Sequence, residues 1–501
     1  MHTNSPSTRV PSRLKRSYFS EHFQMQQWSD IEPFVQELID RPISSAKELE
    51  RWMYDCDEAD RIIGENARWR HINVTCHTAN DQYQSAYNEY VAEILPKLRP
   101  MTFKIHCKVV KSPFLVALDA HKYQMHLRNV QNSVRLFREE NIALFSELAL
   151  LEKEYQSIVG GLSVQIDGQE KTMQAAASLL SKNNRRLRET AFRAINEKWL
   201  GVADTLNNLF DKMVALRHQI ALNAGFSNFR DYKFAALGRF DYTPEDCMAF
   251  HQTIEQEVVP LLCIVQERHK EASQIHPYRP WDTDAPLDGN DAPSPFANVE
   301  ELTEKTIACL DKVSTEFGNC LRVLKQIGHL DLESRKNKAP GGYNASLPEM
   351  GIPFIFMNAV GTIGDVKTMV HESGHAVHTF LSRHLELGTL KQLTSEIAEL
   401  ASMSMELMTM EHWNIFFANE ADLKKAKIQQ LERILSILPW VSVIDSFQHW
   451  IYTHPKHTQA ERQTAWLQTL ARFSNNLTDW EGIEYIVLQI FRYFSIFAFP
   501  T

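Results

Sequence analysis

The chain has 501 residues, 44% of them hydrophobic, 10% aromatic and 23% charged, which excludes wholesale disorder and provides for a sizeable core. At about 150 residues per domain, this length predicts about three domains or one large helical body with a helical extension. A formal net charge of −9 argues against a protein whose main partner is the phosphate backbone of a nucleic acid.

Residues 1–20 carry Arg9, Arg13, Lys15 and Arg16 and no acid, but lack the apolar stretch of a secretory signal. They read as a disordered leader, with a transit peptide as the alternative. From Trp28 to about Leu200, apolar residues recur at helical spacing, as in Leu136, Leu144, Leu148 and Leu151, which predicts a helical array. Within it Leu162, Val164 and Ile166 alternate and Asp167-Gly168 follows, the pattern of a short β-hairpin. A further helix is predicted over about 203–223, ending at Gly225, with Phe229, Tyr232 and Phe234 beyond it as aromatic anchors. The proline-rich stretch from His276 to Pro295 reads as a long surface loop inserted in the second half.

Helical pattern returns over 299–330, and Pro340-Gly341-Gly342-Tyr343 marks a tight loop. Gly351 to Asn358 is short, apolar and opened by Pro353, which suggests an edge strand. No run reaches the roughly 18 apolar residues of a membrane span. Seven cysteines form no C-x-x-C pair and cannot all be paired within one chain, so they read as reduced thiols of a cytoplasmic protein.

His371-Glu372-Ser373-Gly374-His375 is an H-E-x-x-H pattern flanked by apolar residues at helical intervals. Chance supplies roughly 0.05 occurrences in a chain of this composition. On a helix, residues four apart share a face, so both imidazoles can aim at one metal ion. Glu372 projects beside them, placed to accept a proton from water. Gly374 costs about 1 kcal/mol against alanine in a helix, so the close approach of another backbone or of substrate is expected there. A metzincin would carry Gly at 378 and His at 381; this chain has His378 and Leu381. A second helix beginning near Thr394-Ser395 carries Glu396, Glu399, Glu406 and Glu411, one of which is the expected third ligand. Its Ala398, Leu400, Ala401 and Met403 suggest a largely buried helix.

With VHESGHAVH at 370–378, TSEIAELASMSMELM at 394–408 and KAPGGYNASLPEMGIPFIFMNAVG at 338–361, the chain resembles the M3 family of zinc metallopeptidases. That is the thimet oligopeptidase and oligoendopeptidase F group, and the likeness is closest to the oligoendopeptidase F branch. It extends more weakly from about 15 to 485, through RFDYTPEDC at 239–247 and QHWIYTHP at 448–455.

The resemblance implies a mainly α, two-lobed helical metallopeptidase fold around a deep substrate channel, with a small β-hairpin or sheet near the zinc site. The leader of 1–20 would be followed by an N-terminal helical lobe over 21–200 and a catalytic helical lobe over 201–501. By the same resemblance one Zn2+ per chain is held by His371, His375 and Glu399, and Glu372 is the general base that activates a zinc-bound water. His378 and Glu406 support the ligands. Gly341, Gly342, Tyr343, Phe356, Met357, Asn358 and Ala359 bind substrate, the strand at 354–360 pairing with the peptide backbone.

The implied activity is endopeptidase hydrolysis of short oligopeptides, with no nucleic acid or membrane partner. The family's oxyanion donors are a histidine and tyrosines near the C-terminal end. No histidine follows His457 here, and Tyr485 to Thr501 does not match. A truncated or altered C-terminus is therefore expected, and the alternative function is a catalytically impaired, zinc-containing peptide-binding protein.

Overall fold

The helices begin where the sequence supplies caps. Ser45 accepts from the Glu48 amide at the start of Ala46–Cys76, and Asn184 from the Leu187 amide at the start of Arg185–Asn223. Thr362 and Asp365 form a reciprocal capping box that opens the helix Ile363–Leu381. The computed structural model describes residues 9–287, 289–291 and 293–487. It is mainly helical with two small sheets. No described helix is long and apolar enough to cross a membrane.

The chain divides into two units that are each discontinuous in sequence. The first comprises residues up to 146, then 295–333 and 337–416; the second comprises 147–294, 334–336 and 417 onward. The core of the first unit is built where Trp28–Asp40 packs on Ala46–Cys76 through Ile31, Val35, Leu38, Leu49 and Trp52. Each such side chain contributes roughly 1.5–3 kcal/mol on burial. Within the stretch read as a disordered leader, Arg16 pairs with Glu349 and Phe19 is buried among aromatic rings. A guanidinium with a carboxylate partner and a ring with a socket pin this segment down, which corrects that reading from residue 9 on. Residues 1–8 lie outside the described ones.

Three strands in the first unit, β3 (Leu330–Glu333), β4 (Tyr343–Leu347) and β5 (Ile352–Ala359), form a sheet in the order β3-β5-β4. β5 is therefore the middle strand, antiparallel to β4 and parallel to β3, and not the edge strand that Pro353 suggested. The Ile355 amide donates to the His329 carbonyl on the β3 side, and alternate residues of a strand point their amides the same way. The N–H that Pro353 lacks would thus fall beyond β3, whose pairing with β5 starts at Ile355. The proline costs the ladder nothing. The edge strands are β3 and β4.

In the second unit, β1 (Ser163–Ile166) and β2 (Gln169–Thr172) form the expected hairpin, turning at Asp167 and Gly168, both with positive φ. It does not lie in the unit that carries the H-E-x-x-H helix; the sheet beside that helix is β3-β5-β4. The stretch from His276 to Pro295 is not a surface loop throughout. Trp281 and Asp282 are buried, and Asp282 accepts from Arg185 and from the buried Arg188, so a charge network anchors the segment. The expected terminal run is described only as far as the short helix Glu484–Val487, in which Tyr485 is exposed; Tyr493 and the rest of 488–501 lie outside the described residues.

Candidate metal centre

About two and three turns into the helix Ile363–Leu381, His371 and His375 face the same way, their rings nearly perpendicular and 4.9 Å apart. The helix Ser395–Thr409 packs across them and brings Glu399 into reach. Glu399 Oε2 lies 3.2 Å from His371 Nε2, and Oε1 lies 3.9 Å from His375 Nε2. One donor atom from each of the three residues lies within 4.8 Å of the others. Two imidazole nitrogens and a carboxylate in this spacing suit a divalent ion of the zinc type, with a coordination position to spare. Ser402, one turn beyond Glu399, donates to Glu399 Oε2 at 2.9 Å and holds that carboxylate in place.

The two helices meet at Gly374. A Cβ there would stand 2.7 Å from Ser402 Cα and 2.9 Å from the Ala401 carbonyl oxygen, so glycine is needed for a backbone to come this close. That contact sets the distance between the histidines and Glu399. The helix Ser395–Thr409 is not largely buried, however. It buries only Ser402, Met405, Glu406 and Thr409 among its described residues, while Leu400 is 64% exposed.

Glu406 Oε1 lies 2.8 Å from His371 Nδ1. Accepting the Nδ1 proton leaves Nε2 turned toward Glu399 with its lone pair available to a metal. In the protein alone, burial would lower the pKa of His371. Its hydrogen bonds to Glu399 and Glu406 outweigh this and raise it to about 10. Glu399 is held below the usual carboxylate range, first by its bond to His371. Burial lowers the pKa of His375, and His371, Glu399 and His378 also act on it through charge.

Glu372 is buried beside these groups. Its Oε2 has no hydrogen-bond partner, and burial pushes its carboxyl up to about 7. An orphaned carboxylate oxygen next to three converging donors is what a metal with its water would satisfy, so these residues fit the ion that the donor set calls for. Gly342 faces the same carboxylate. A Cβ on it would lie 3.5 Å from Glu372 Oε1, so the glycine leaves the space in front of Glu372 clear.

The loop 338–342 is held by buried polar groups. Lys338 Nζ donates to the Asp331 carboxylate at 2.8 Å and to the carbonyls of Glu333 and Met357. Asn358 Nδ2 donates to the carbonyls of Ala339 and Gly341, both at 2.9 Å. Phe356 is fully buried and stacks on Tyr343 with ring centroids 4.6 Å apart, while the Tyr343 hydroxyl bonds Thr75. Met357 and Ala359 are buried as well. These side chains support the loop and the sheet. On β4, Asn344 Nδ2 donates to the Glu372 carbonyl at 3.3 Å and the Ser346 hydroxyl lies 3.1 Å from that of Thr379, so the edge strand runs along the H-E-x-x-H helix. Sequence reasoning missed Ser402 and the edge position of β4; the three-residue spacing of Glu399 and Ser402 was the available signal for the first.

Comparison with known proteins places the chain in a family. The peptidase family M3 signature matches residues 178–485, and the peptidase M3 N-terminal domain matches 19–137. Chromosomal oligoendopeptidase F of Lactococcus lactis subsp. cremoris is 22% identical over 288 residues, 57% of this chain and 44% of that protein. Oligopeptidase PepF of Bacillus subtilis (strain 168) is 24% identical over 295 residues, 57% of this chain and 42% of the relative. The match thus spans less than half the length of either. Among solved structures, PZ peptidase A with an inhibitor superposes with a TM-score of 0.89 at 25% identity, over 95% of this chain and 85% of that one. An oligoendopeptidase F structure gives 0.90, also at 25% identity, over 97% and 86%. The family match covers more than half of the sequence, and the fold agrees with it: this chain belongs to peptidase family M3.

Proposed function

We propose that the chain is a zinc-dependent endopeptidase that hydrolyses internal bonds of short oligopeptides. His371, His375 and Glu399 would hold one zinc ion, Glu372 would serve as general base, and His378 and Glu406 would support the ligands. The observation that carries this reading is the convergence of three donor atoms within 4.8 Å beside the orphaned oxygen of Glu372. Relatives named as oligopeptidases support peptides as the substrate class.

When bound, zinc supplies a Lewis acid that polarises a carbonyl and lowers the pKa of a water. The remaining work falls to the chain itself. Glu372 Oε2, with a carboxyl near neutrality, takes a proton from the attacking water and returns it to the leaving amine. Gly342 keeps the approach to that carboxylate open, and Gly341 and the backbone of Tyr343 flank it. The outer edge of β4 offers its amides and carbonyls to an extended peptide, which favours recognition of the backbone over side chains. Phe356, Met357, Asn358 and Ala359 act behind this surface by fixing the loop. None of the seven cysteines forms a disulfide, which supports a reducing compartment such as the cytoplasm.

The test is cleavage of a mixed set of peptides by zinc-loaded protein and by Glu372→Gln. The expected result is a loss of about 10²–10⁴ in rate with zinc content unchanged. Equal cleavage by the variant would overturn the role of Glu372. Peptide binding with zinc present and no turnover in either protein would establish the non-catalytic peptide-binding alternative.

A further inference from the structure

A second group of metal-ligating side chains lies in the second unit, and the peptidase reading does not use it. Cys247 and His251 stand four apart on the helix Pro244–Thr253; Asp445 and His449 stand four apart on the long helix Glu420–Thr453. Four-residue spacing puts both members of each pair on one helix face, and the two helices pack so that the faces meet. One donor atom each from Cys247, Asp445 and His449 lies within 4.8 Å of the others.

The two histidines of this group differ in their hydrogen bonding. His251 is fully committed: Nε2 lies 2.7 Å from Asp445 Oδ2, and Nδ1 lies 2.9 Å from the Ser446 hydroxyl. His449, only 4% exposed, has no hydrogen bond at either ring nitrogen, and its Nε2 points toward Asp445 Oδ2 at 3.4 Å. A buried imidazole with no hydrogen bond at either nitrogen costs free energy unless something satisfies it. The Asp445 carboxylate lies between the two imidazoles, held by His251 on one side and facing His449 on the other.

We propose that Cys247, Asp445 and His449 form a second site for a divalent transition metal, in which His251 positions the Asp445 carboxylate. A thiolate, a carboxylate and a neutral imidazole around a 2+ ion sum to zero charge, which a partly buried site with Lys233 and Arg230 near His449 tolerates. Binding releases the Cys247 thiol proton to solvent. The mixed sulfur, nitrogen and oxygen donors select zinc, cobalt or a similar ion over magnesium or calcium. Because it ties Pro244–Thr253 to Glu420–Thr453, the ion braces the second unit and takes no part in peptide cleavage.

The test uses the whole chain, stripped with a chelator and titrated with Co2+. A cobalt thiolate complex gives an intense near-ultraviolet charge-transfer band, which the cluster of His371, His375 and Glu399 cannot produce because it holds no sulfur. The expected result is two cobalt ions per chain with the band present. Cys247→Ser should abolish the band and leave one ion, and Glu399→Ala should keep the band and lose the other ion. One ion per chain without the band in the unaltered protein would overturn the proposal, as would a band that survives Cys247→Ser. Because the wild-type spectrum decides the matter, the proposal stays testable even if a variant fails to fold, and the peptidase reading can fail without affecting it.

Discussion

The two histidine and carboxylate clusters use nearly the same parts and commit them differently. In the first unit the pair His371 and His375 meets Glu399 on a neighbouring helix; in the second, the pairs Cys247/His251 and Asp445/His449 face each other across two helices. Both clusters have two half-buried members; in the first the third, Glu399, is exposed, and in the second the third, His449, is buried. Beside the first stands the buried Glu372 with an oxygen to spare, whereas the carboxylate of the second, Asp445, is taken up by His251. A metal site with a free carboxylate beside it can move protons, and one without it can only hold structure together. The spare carboxylate, more than ligand type, separates the two.

That comparison can be broken in three further ways. The largest effect is expected from Gly374→Ala. Its Cβ would collide with the backbone of Ser402 and Ala401, so the helix carrying Glu399 must move, at a cost of about 1–3 kcal/mol. Thermal unfolding should occur at lower temperature and the first cluster should bind zinc more weakly, even though alanine is the better helix former; a gain in Tm would disprove the close approach.

Glu406→Gln removes the charged acceptor from His371 Nδ1. It should weaken metal binding at the first cluster by about 10–100-fold and leave the cobalt thiolate band of the second unchanged. Competition titration against a chelator measures this, and an equal loss at both sites would break the separation between them.

The smallest effect is a pH response of metal-free protein, where the clusters should differ in sign. His371 has its folded pKa raised to about 10, so its contribution to stability is full below about 6.5 and is lost as pH rises through about 10. Asp445 has its pKa depressed, so its contribution is present above about 3.9 and is lost as pH falls below that. Between pH 6.5 and 9.5, His371→Gln should flatten the decline in stability by on the order of 1–2 kcal/mol. An identical decline in wild type and variant would show that His371 is not held protonated.

The legibility of the sequence followed the distance over which each feature is encoded. His371, Glu372 and His375 could be read directly because one helix turn fixes their relation, and the hairpin turning at Asp167-Gly168 could be read because its residues are adjacent. The need for close packing at Gly374 was visible as a propensity defect; the backbone that fills the space was not. Pro353 misled for a related reason: a missing amide argues for an edge only if a partner strand would have used it, and β3 starts two residues later. Leu400 and Met403 suggested burial by their apolar character, yet they lie on the exposed face of their helix.

The sequence by itself determined the helical class, the histidine pair with Glu372 between them that we propose as ligands and base, and the likeness to the M3 peptidases, because these depend on residue type and on spacing within one element. Only the tertiary structure decided that β4 is the edge beside the H-E-x-x-H helix, that Ser402 holds Glu399 and Glu406 holds His371, and that Cys247 and His449, some two hundred residues apart, share one cluster. Those relations arise from packing between elements, and nothing in the local pattern of a chain fixes which of its helix faces will meet.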